Sequence, residues 1–322
     1  MSGFRALVMG KGLETTLAVL NGLVGNYLSR TGNGLATEMS LYRADLPLPA
    51  ERATLAAAYP HATSRLVVFV HGLMNTESIW RMPDGTDYGS LLERDLGWTP
   101  VYVRYNTGVA IAENGARLSA LLEQVLEAYP VAVEELLLIG FSMGGLVIRA
   151  ACHAAETHKH IWRSRVRRIL YVGTPHLGAP GERLGKLTSE VLRAIPNQYT
   201  RLIADIANLR SDGIQDLAHA ALRDEDRAIA RSPWDLRDAR HPVPLLPDIQ
   251  HHLIAGSVFI DPRLTFLFGD TVVPVASATY KGHALELLPP ERVHVLPGLS
   301  HLALAHSPAV YERIKATLEQ PT

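Results

Sequence analysis

The sequence has little of three features that would define other classes of protein. It contains a single cysteine, Cys152, which excludes a disulfide within the chain and favours a reducing compartment. Its 31 basic and 32 acidic residues nearly cancel, so no net charge attracts nucleic acid or an anionic membrane surface. It has no run of about 18 apolar residues, the length that a transmembrane helix needs. We therefore expect a globular cytoplasmic protein with no nucleic-acid partner.

Short apolar runs alternate with helical patterns from residue 65 onward. Such runs are typical of strands buried on both faces, and 47% of the residues are hydrophobic, enough for a large core. The alternation predicts an α/β fold with a mainly parallel central sheet flanked by helices. The predicted strands are 66–70, 100–104, 135–139, 168–172, 252–256 and 292–296, and the predicted helices are 88–95, 115–129 and 143–157.

The first 60 residues form a helical segment in this interpretation. Near their start, one helical stripe collects five apolar side chains, Leu13, Leu17, Leu20, Val24 and Leu28. Lys11 and Glu14 interrupt any signal-peptide core. We expect residues 1–60 to pack on the domain, and contact of the first helix with a lipid interface is the alternative.

Residues 181–250 break the alternation, because they show no strand pattern and carry dense mixed charge. We expect a helical cap insertion there, placed over the edge of the sheet where loops form pockets. The core then comprises residues 61–180 and 251–322. A terminal helix is predicted after Ser307, an N-cap residue followed by Pro308.

The pentapeptide Gly140-Phe141-Ser142-Met143-Gly144 lies between a predicted strand and a predicted helix. A G-x-S-x-G sequence is weak evidence alone, but in this context it predicts a sharp turn that presents the serine hydroxyl for nucleophilic attack. Cβ atoms at positions 140 and 144 would collide with the adjacent strand and helix. Ser142 is therefore the candidate nucleophile, and a serine that merely caps the helix is the alternative.

A serine nucleophile needs a histidine base, which follows the last strand in hydrolases with such a turn. His301 follows the last predicted strand in a loop, Pro297-Gly298-Leu299-Ser300-His301. His294 lies inside that strand, and His306 lies just before the terminal helix. We expect His301 to be the base, with His306 as the main competitor.

The base in turn needs a carboxylate that orients it, located between the serine and the histidine in the chain. Asp270 occurs in Gly269-Asp270-Thr271-Val272-Val273-Pro274. Asp261 follows its strand more closely, but it precedes Pro262 and is typical of a turn. We expect Asp270 to complete the triad, with Asp261 as its rival.

The oxyanion of a tetrahedral intermediate needs two backbone N–H donors. Met143 follows the nucleophile at the start of the helix, and Leu73 follows the first core strand in Val70-His71-Gly72-Leu73. Gly72 allows the backbone to approach the reacting carbon closely. We expect Leu73 and Met143 to be the donors, and we interpret His71 as a histidine that braces this loop.

Four residues at the same edge of the sheet are candidates for contact with the substrate: His71, Gly72, Tyr105 and His176. Tyr105 belongs to the segment 104–108, which we expect to border the pocket, and a purely structural turn is an equal alternative for His176. We expect no metal site, because His153, His158 and His160 cluster without a carboxylate at a recognisable spacing.

Four motifs together resemble the α/β-hydrolase lipases, in particular the bacterial triacylglycerol lipases and the GPI inositol-deacylase-like lipases. They are Val70-His71-Gly72-Leu73, Gly140-Phe141-Ser142-Met143-Gly144-Gly145, Val172-Gly173-Thr174-Pro175-His176-Leu177-Gly178 and Gly269-Asp270-Thr271-Val272-Val273-Pro274. The resemblance spans residues 65–180 and 250–315. One departure is Thr271, since these lipases often have glycine after the acid.

This resemblance implies an ester hydrolase that acts on a small-molecule or lipid ester, with Ser142, Asp270 and His301 as the triad and no cofactor. An amidase, thioesterase or acyltransferase with the same triad is a second hypothesis. A non-catalytic binding module with the same fold is a third. The sequence does not fix the acyl chain, the leaving group or the oligomeric state.

Overall fold

The computed structural model describes residues 2–179, 183–185, 211–223, 225–226, 243–261, 269–280 and 288–320, with residues 2–11 as backbone only. A sheet of eight strands forms its centre: β1 Ser40–Arg43, β2 Leu46–Leu48, β3 Arg65–Val70, β4 Thr99–Arg104, β5 Glu135–Phe141, β6 Val166–Val172, β7 Gln250–Ser257 and β8 Val293–Pro297. The α-helices are α1 Ser2–Arg30, α2 Arg52–Ala58, α3 Tyr88–Leu96, α4 Ile111–Ala128, α5 Met143–His158, α6 Asp212–His219, α7 Val275–Ala278 and α8 Pro308–Leu318.

The strand order is β2-β1-β4-β3-β5-β6-β7-β8, and every pair from β4 to β8 is parallel. All six strands predicted from the sequence are present, each within two residues of its predicted bounds. The three predicted helices correspond to α3, α4 and α5, although α4 begins four residues earlier than expected, at Ile111. The predicted α/β fold with a mainly parallel sheet is confirmed.

Apolar layers cover both faces of the sheet. In β3, Leu66, Val68 and Val70 belong to one buried cluster, whereas Val67 and Phe69 belong to the other. Successive side chains of a strand point to opposite faces, so this division explains why the strand is apolar throughout. The carboxyl ends of the parallel strands meet at one edge, where the loops bearing the candidate site begin.

The segment 1–60 contains the expected helix and a hairpin that the sequence analysis did not predict. Val19, Leu23 and Leu28 of α1 are buried in the core. Strands β1 and β2 pair antiparallel with each other, and β1 pairs antiparallel with β4, which extends the sheet. In the described part of the chain, no helix has both the length and the apolar character needed to cross a membrane.

Most of the predicted cap insertion, residues 181–250, lies outside the described residues. Its described part contains α6, whose N-cap Ser211 also donates a hydrogen bond of 2.6 Å to the carbonyl of Gly22 in α1. From α6, Asp216 accepts a bond from the Ile111 amide at the start of α4, at 2.9 Å. These bonds attach α6 to both neighbouring helices.

Candidate active site

Ser142 lies in a sharp turn between β5 and α5, as the sequence predicts. Its backbone has φ +52° and ψ −124°, a conformation that residues with a Cβ rarely adopt. The Ser142 amide donates to the Val172 carbonyl of β6 at 2.8 Å, which holds the turn against the neighbouring strand. Such a backbone costs on the order of 1–3 kcal/mol and persists only where the surroundings impose it.

The two glycines of the pentapeptide are required by close packing, as expected. A Cβ at Gly140 would lie 2.6 Å from the backbone nitrogen of Gly145 in the helix. A Cβ at Gly144 would lie 2.5 Å from the His71 carbonyl oxygen and closer still to that of Val70 at the end of β3. Real Cβ atoms do not approach backbone atoms this closely, so neither position accepts a larger residue without a shift of the turn.

The structure brings Ser142, His301 and Asp270 together, although 159 and 31 residues separate the bonded pairs along the chain. Ser142 Oγ lies 2.9 Å from His301 Nε2, and His301 Nδ1 lies 2.7 Å from Asp270 Oδ2. All three are buried, with exposed fractions of 1–2%. A carboxylate only accepts hydrogen bonds, so Nδ1 donates to Asp270 and Nε2 is left to accept from the serine hydroxyl.

The carboxylate of Asp270 is held on both oxygens. Oδ1 accepts from the amides of Val272 and Val273 at 3.0 and 2.7 Å, while Oδ2 faces His301. The residue that follows the acid, Thr271, has φ +84°, in the left-handed region that favours glycine. This conformation explains why glycine suits that position, and the threonine here adopts it with the Asp270 bonds intact.

The rival residues lie elsewhere. His306 Nδ1 donates to the Ile79 carbonyl at 3.2 Å, and His294 belongs to β8. Asp261 lies beyond the end of β7, and the oxygen at 2.7 Å from His301 Nδ1 belongs to Asp270. The geometry therefore favours His301 and Asp270 over their competitors, and their catalytic roles stay predictions.

Met143 directly follows Ser142, and Leu73 directly follows Gly72 in the loop after β3. Met143 is the first residue of α5, and both side chains are buried. The loop after β3 approaches the nucleophile so closely that a Cβ at Gly72 would lie 2.9 Å from the Ser142 Cβ. The loop that carries Leu73 therefore approaches the nucleophile, and the role of the Leu73 and Met143 amides as oxyanion donors stays a prediction.

His71 is fully buried and both of its ring nitrogens are engaged. Nδ1 donates to the Gly72 carbonyl at 2.9 Å, and Nε2 accepts from the Tyr105 amide at 3.4 Å. Tyr105 stacks on the imidazole and donates its hydroxyl to the His71 carbonyl at 2.8 Å. Burial lowers the pKa of His71 to about 3, so the ring is neutral at pH 7. These contacts support the bracing role, and substrate contact by His71, Gly72 or Tyr105 stays a prediction.

His176 is buried beside the buried guanidinium of Arg149. Arg149 donates to His176 Nδ1 at 3.2 Å and to the Val243 carbonyl, and its guanidinium lies over the Tyr280 ring. Burial, and then the charge of Arg149, lowers the pKa of His176 well below its usual value. His176 is thus a neutral, packed residue, which favours the structural alternative, although its substrate contact stays a prediction.

The remaining candidate groups are explained by packing. Burial raises the pKa of the Cys152 thiol to about 12, so it is protonated and unreactive at neutral pH. His160 contacts Ser119 Oγ at 2.7 Å and stacks near His158. Among the described residues, no three His, Cys, Asp or Glu side chains are grouped as metal ligands would be.

Sequence reasoning did not single out Thr107, which lies in the segment 104–108 expected to border the pocket. The structure places its hydroxyl on the amide of Met74, directly after Leu73, at 3.1 Å. Its only signal in the sequence is its position at the carboxyl end of a parallel strand.

Comparisons with known proteins agree with this fold. The sequence model described as the alpha/beta hydrolase family matches residues 67–314. The mature lipase BlEst2 of Bacillus licheniformis is similar in structure, with a TM-score of 0.51 and 18% identity over 87% of this chain and 97% of the lipase. The propeptide form of that lipase has a TM-score of 0.52 and 19% identity, over 88% of this chain and 54% of the lipase chain.

The RedJ thioesterase of the prodiginine pathway in Streptomyces coelicolor has a TM-score of 0.48 and 18% identity, over 80% of this chain and 91% of its own. At such identities, structural similarity concerns the fold alone. The comparison with curated proteins found no significant match.

Proposed function

Because this chain belongs to the alpha/beta hydrolase family, we propose that it is a serine hydrolase of carboxylic esters, of lipase or esterase type. The observation that carries the proposal is the continuous hydrogen-bonded chain from Ser142 through His301 to Asp270. The order of the three side chains and the direction of their hydrogen bonds match what nucleophilic acyl transfer by a serine requires.

In the first half of the reaction, His301 Nε2 takes the proton of Ser142 as Oγ attacks the ester carbonyl carbon. The carbonyl π electrons move to oxygen, and the amides of Leu73 and Met143 donate to this oxyanion. The tetrahedral intermediate then collapses: the bond to the alcohol oxygen breaks, and His301 returns the proton to the departing alcohol. The product is an acyl-enzyme on Ser142.

In the second half, water replaces the alcohol. His301 takes a proton from the water as it attacks the acyl carbon, and the collapse of the second intermediate releases the carboxylic acid and regenerates Ser142. Asp270 holds the imidazole in the tautomer with the proton on Nδ1 throughout. The proposed reaction uses the side chains and backbone of this chain and no cofactor.

The test is Ser142→Ala, assayed with p-nitrophenyl esters and with a fluorophosphonate probe. We expect loss of both hydrolysis and covalent labelling, with unchanged thermal unfolding. Ser164→Ala is the matched control, since Ser164 is an exposed serine in a 3-10 helix. Labelling of the Ser142→Ala variant at the wild-type level would refute the nucleophile.

The substrate class needs a second measurement. Hydrolysis across a series of acyl lengths, with and without an emulsion interface, separates the two enzyme types. A long-chain preference with an increase at the interface indicates a lipase, whereas a short-chain preference without it indicates an esterase. A wild type inactive on every oxygen ester, but active on thioesters or amides, would overturn the ester proposal and keep the triad.

A further inference from the structure

The loop after β3 turns sharply just beyond Leu73, the proposed oxyanion donor. Met74 has φ +59°, and the Asn75 amide closes the turn on the Gly72 carbonyl at 3.3 Å. A methionine in the left-handed region is uncommon and persists only where neighbouring groups hold it. The position of the Leu73 amide therefore depends on whatever fixes Met74.

Thr107, in the loop after β4, supplies that contact. Its hydroxyl accepts a hydrogen bond from the Met74 amide at 3.1 Å, and Thr107 is only 1% exposed. The bond fixes the peptide plane between Leu73 and Met74. Because Leu73 lies in the same turn, a rotation of this plane would also move the Leu73 N–H, the proposed oxyanion donor.

The loop that carries Thr107 is itself clamped against α1. The Asn106 side chain donates to the Gly25 carbonyl at 2.9 Å and accepts from the Gly108 amide at 3.0 Å. A Cβ at Gly108 would lie 2.7 Å from the Gly25 nitrogen and closer still to the Asn21 carbonyl oxygen. The backbones of the helix and the loop are therefore in direct contact.

Helix α1 also covers the Met74–Thr107 hydrogen bond directly. At Gly22, a Cβ would lie 3.3 Å from both Met74 Cβ and Thr107 Oγ1, and closer to Met74 Cγ. This glycine lets the helix shield the bond from water. Helix α1 precedes residue 67, where the match to the alpha/beta hydrolase family begins, so it is an addition to the matched core.

We propose that Thr107 is a positioning residue for the oxyanion loop, and that α1 presses it into place through Gly22, Gly25 and Gly108. The inference rests on the proposed serine-hydrolase function. Thr107 bonds to the Met74 amide of this loop. It acts through the Met74 amide on the placement of Leu73, so its loss lowers the stabilisation of the transition state and leaves ground-state binding of the ester unchanged.

The test compares Thr107→Val, which removes the acceptor, with Thr107→Ser, which keeps it. Thr317→Val is the matched control, because Thr317 is also buried and its hydroxyl bonds to the Arg313 carbonyl in the distant α8. For each variant we would measure kcat and KM on a p-nitrophenyl ester, inhibition by a trifluoromethyl ketone that forms a hemiketal oxyanion on the serine, and thermal unfolding.

We expect Thr107→Val to lower kcat by about tenfold or more with KM within about twofold, since small displacements of a catalytic group are costly. Inhibition by the ketone should weaken by a similar factor, and Thr107→Ser should restore both. Thr317→Val should leave both unchanged. Wild-type kcat and ketone inhibition in Thr107→Val, or a Ser variant as impaired as the Val variant, would overturn the proposal.

Gly22→Ala gives an independent route if Thr107→Val does not fold. Alanine favours a helix over glycine by about 1 kcal/mol, which offsets part of the cost, about 1–3 kcal/mol, of a Cβ that overlaps Met74 Cγ and must displace Met74. We therefore expect at most a modest loss of stability in thermal unfolding. We expect lower kcat and weaker ketone inhibition, and wild-type values would contradict the role of α1. Failure of the proposed function is distinct, since the wild type itself would then lack Ser142-dependent hydrolysis.

Discussion

Replacing Asp270 by asparagine changes one atom of the site and tests the role of the acid. The asparagine has one acceptor oxygen and one amide nitrogen in place of two acceptors. Oδ1 of Asp270 accepts from two backbone amides, and Oδ2 faces His301 Nδ1. The oxygen of the asparagine must therefore choose between the backbone amides and the histidine.

The structure predicts which orientation the asparagine side chain adopts. With its oxygen toward His301, the asparagine would lose two backbone hydrogen bonds, each contributing about 1 kcal/mol. That loss favours the opposite orientation by about thirtyfold, since each 1.4 kcal/mol is a factor of ten. The amide nitrogen then donates to His301 Nδ1, which must be unprotonated, so the proton moves to Nε2. In that tautomer His301 cannot accept the proton of Ser142.

The tautomer preference alone predicts a loss of about thirtyfold in kcat, and asparagine also lacks the negative charge that stabilises the imidazolium formed in the transition state. We therefore expect Asp270→Asn to lower kcat by between about thirtyfold and ten-thousandfold, the upper figure being the loss known for the same substitution in a serine protease triad. The assay is p-nitrophenyl ester hydrolysis at pH 7, with thermal unfolding to show that the fold is retained. Asp261→Asn is the control, because Asp261 is the rival acid. Activity of Asp270→Asn within tenfold of the wild type would refute the reasoning, and so would a larger loss in Asp261→Asn.

Two further predictions concern stability. Gly144→Ala should lower the free energy of unfolding, measured in urea, by about 3 kcal/mol, because its Cβ overlaps two backbone oxygens. Gly34→Ala is the control, since Gly34 has open space around it and its replacement should cost little. Equal stabilities of the two variants would contradict this packing effect. Burial lowers the pKa of His252 to about 4, so the unfolded chain binds a proton below pH 6.5 that the folded chain refuses. The free energy of unfolding therefore decreases as the pH is lowered from about 6.5 to about 4. Between pH 6.5 and 5, His252→Leu should lose up to about 2 kcal/mol less of this free energy than the wild type loses. The exposed His61→Leu is its control, and parallel pH curves for His252→Leu and the wild type would contradict this assignment.

The centre of the parallel sheet could be predicted from the sequence because β3, β5, β6 and β7 are buried on both faces. Their runs are apolar at almost every position, which leaves a signal that can be interpreted without knowing the partner strand, whereas β8 at the sheet edge has no buried residue and includes His294. The hairpin of β1 and β2 leaves no such signal, because its strands have only four and three residues. Its place is set by pairing with β4, as between Tyr42 and Tyr102, which lie 60 positions apart in the chain.

The candidate triad could be named from the sequence because each member follows a recognisable strand or motif. Ser142 lies between glycines that only a tight turn requires, and His301 follows the last strand. Thr107 could not be named in the same way. Its role depends on the approach of α1 and of the Met74 amide, two contacts that link distant parts of the chain and leave no local pattern.

Mapping a fluorophosphonate adduct by mass spectrometry shows whether Ser142 is the nucleophile. Trypsin releases residues 118–149 as one peptide, which also contains Ser119, so fragment ions must separate the two serines. We expect one adduct per chain, on Ser142. An adduct on Ser119 or on another peptide, or an active enzyme that takes up no label, would contradict it.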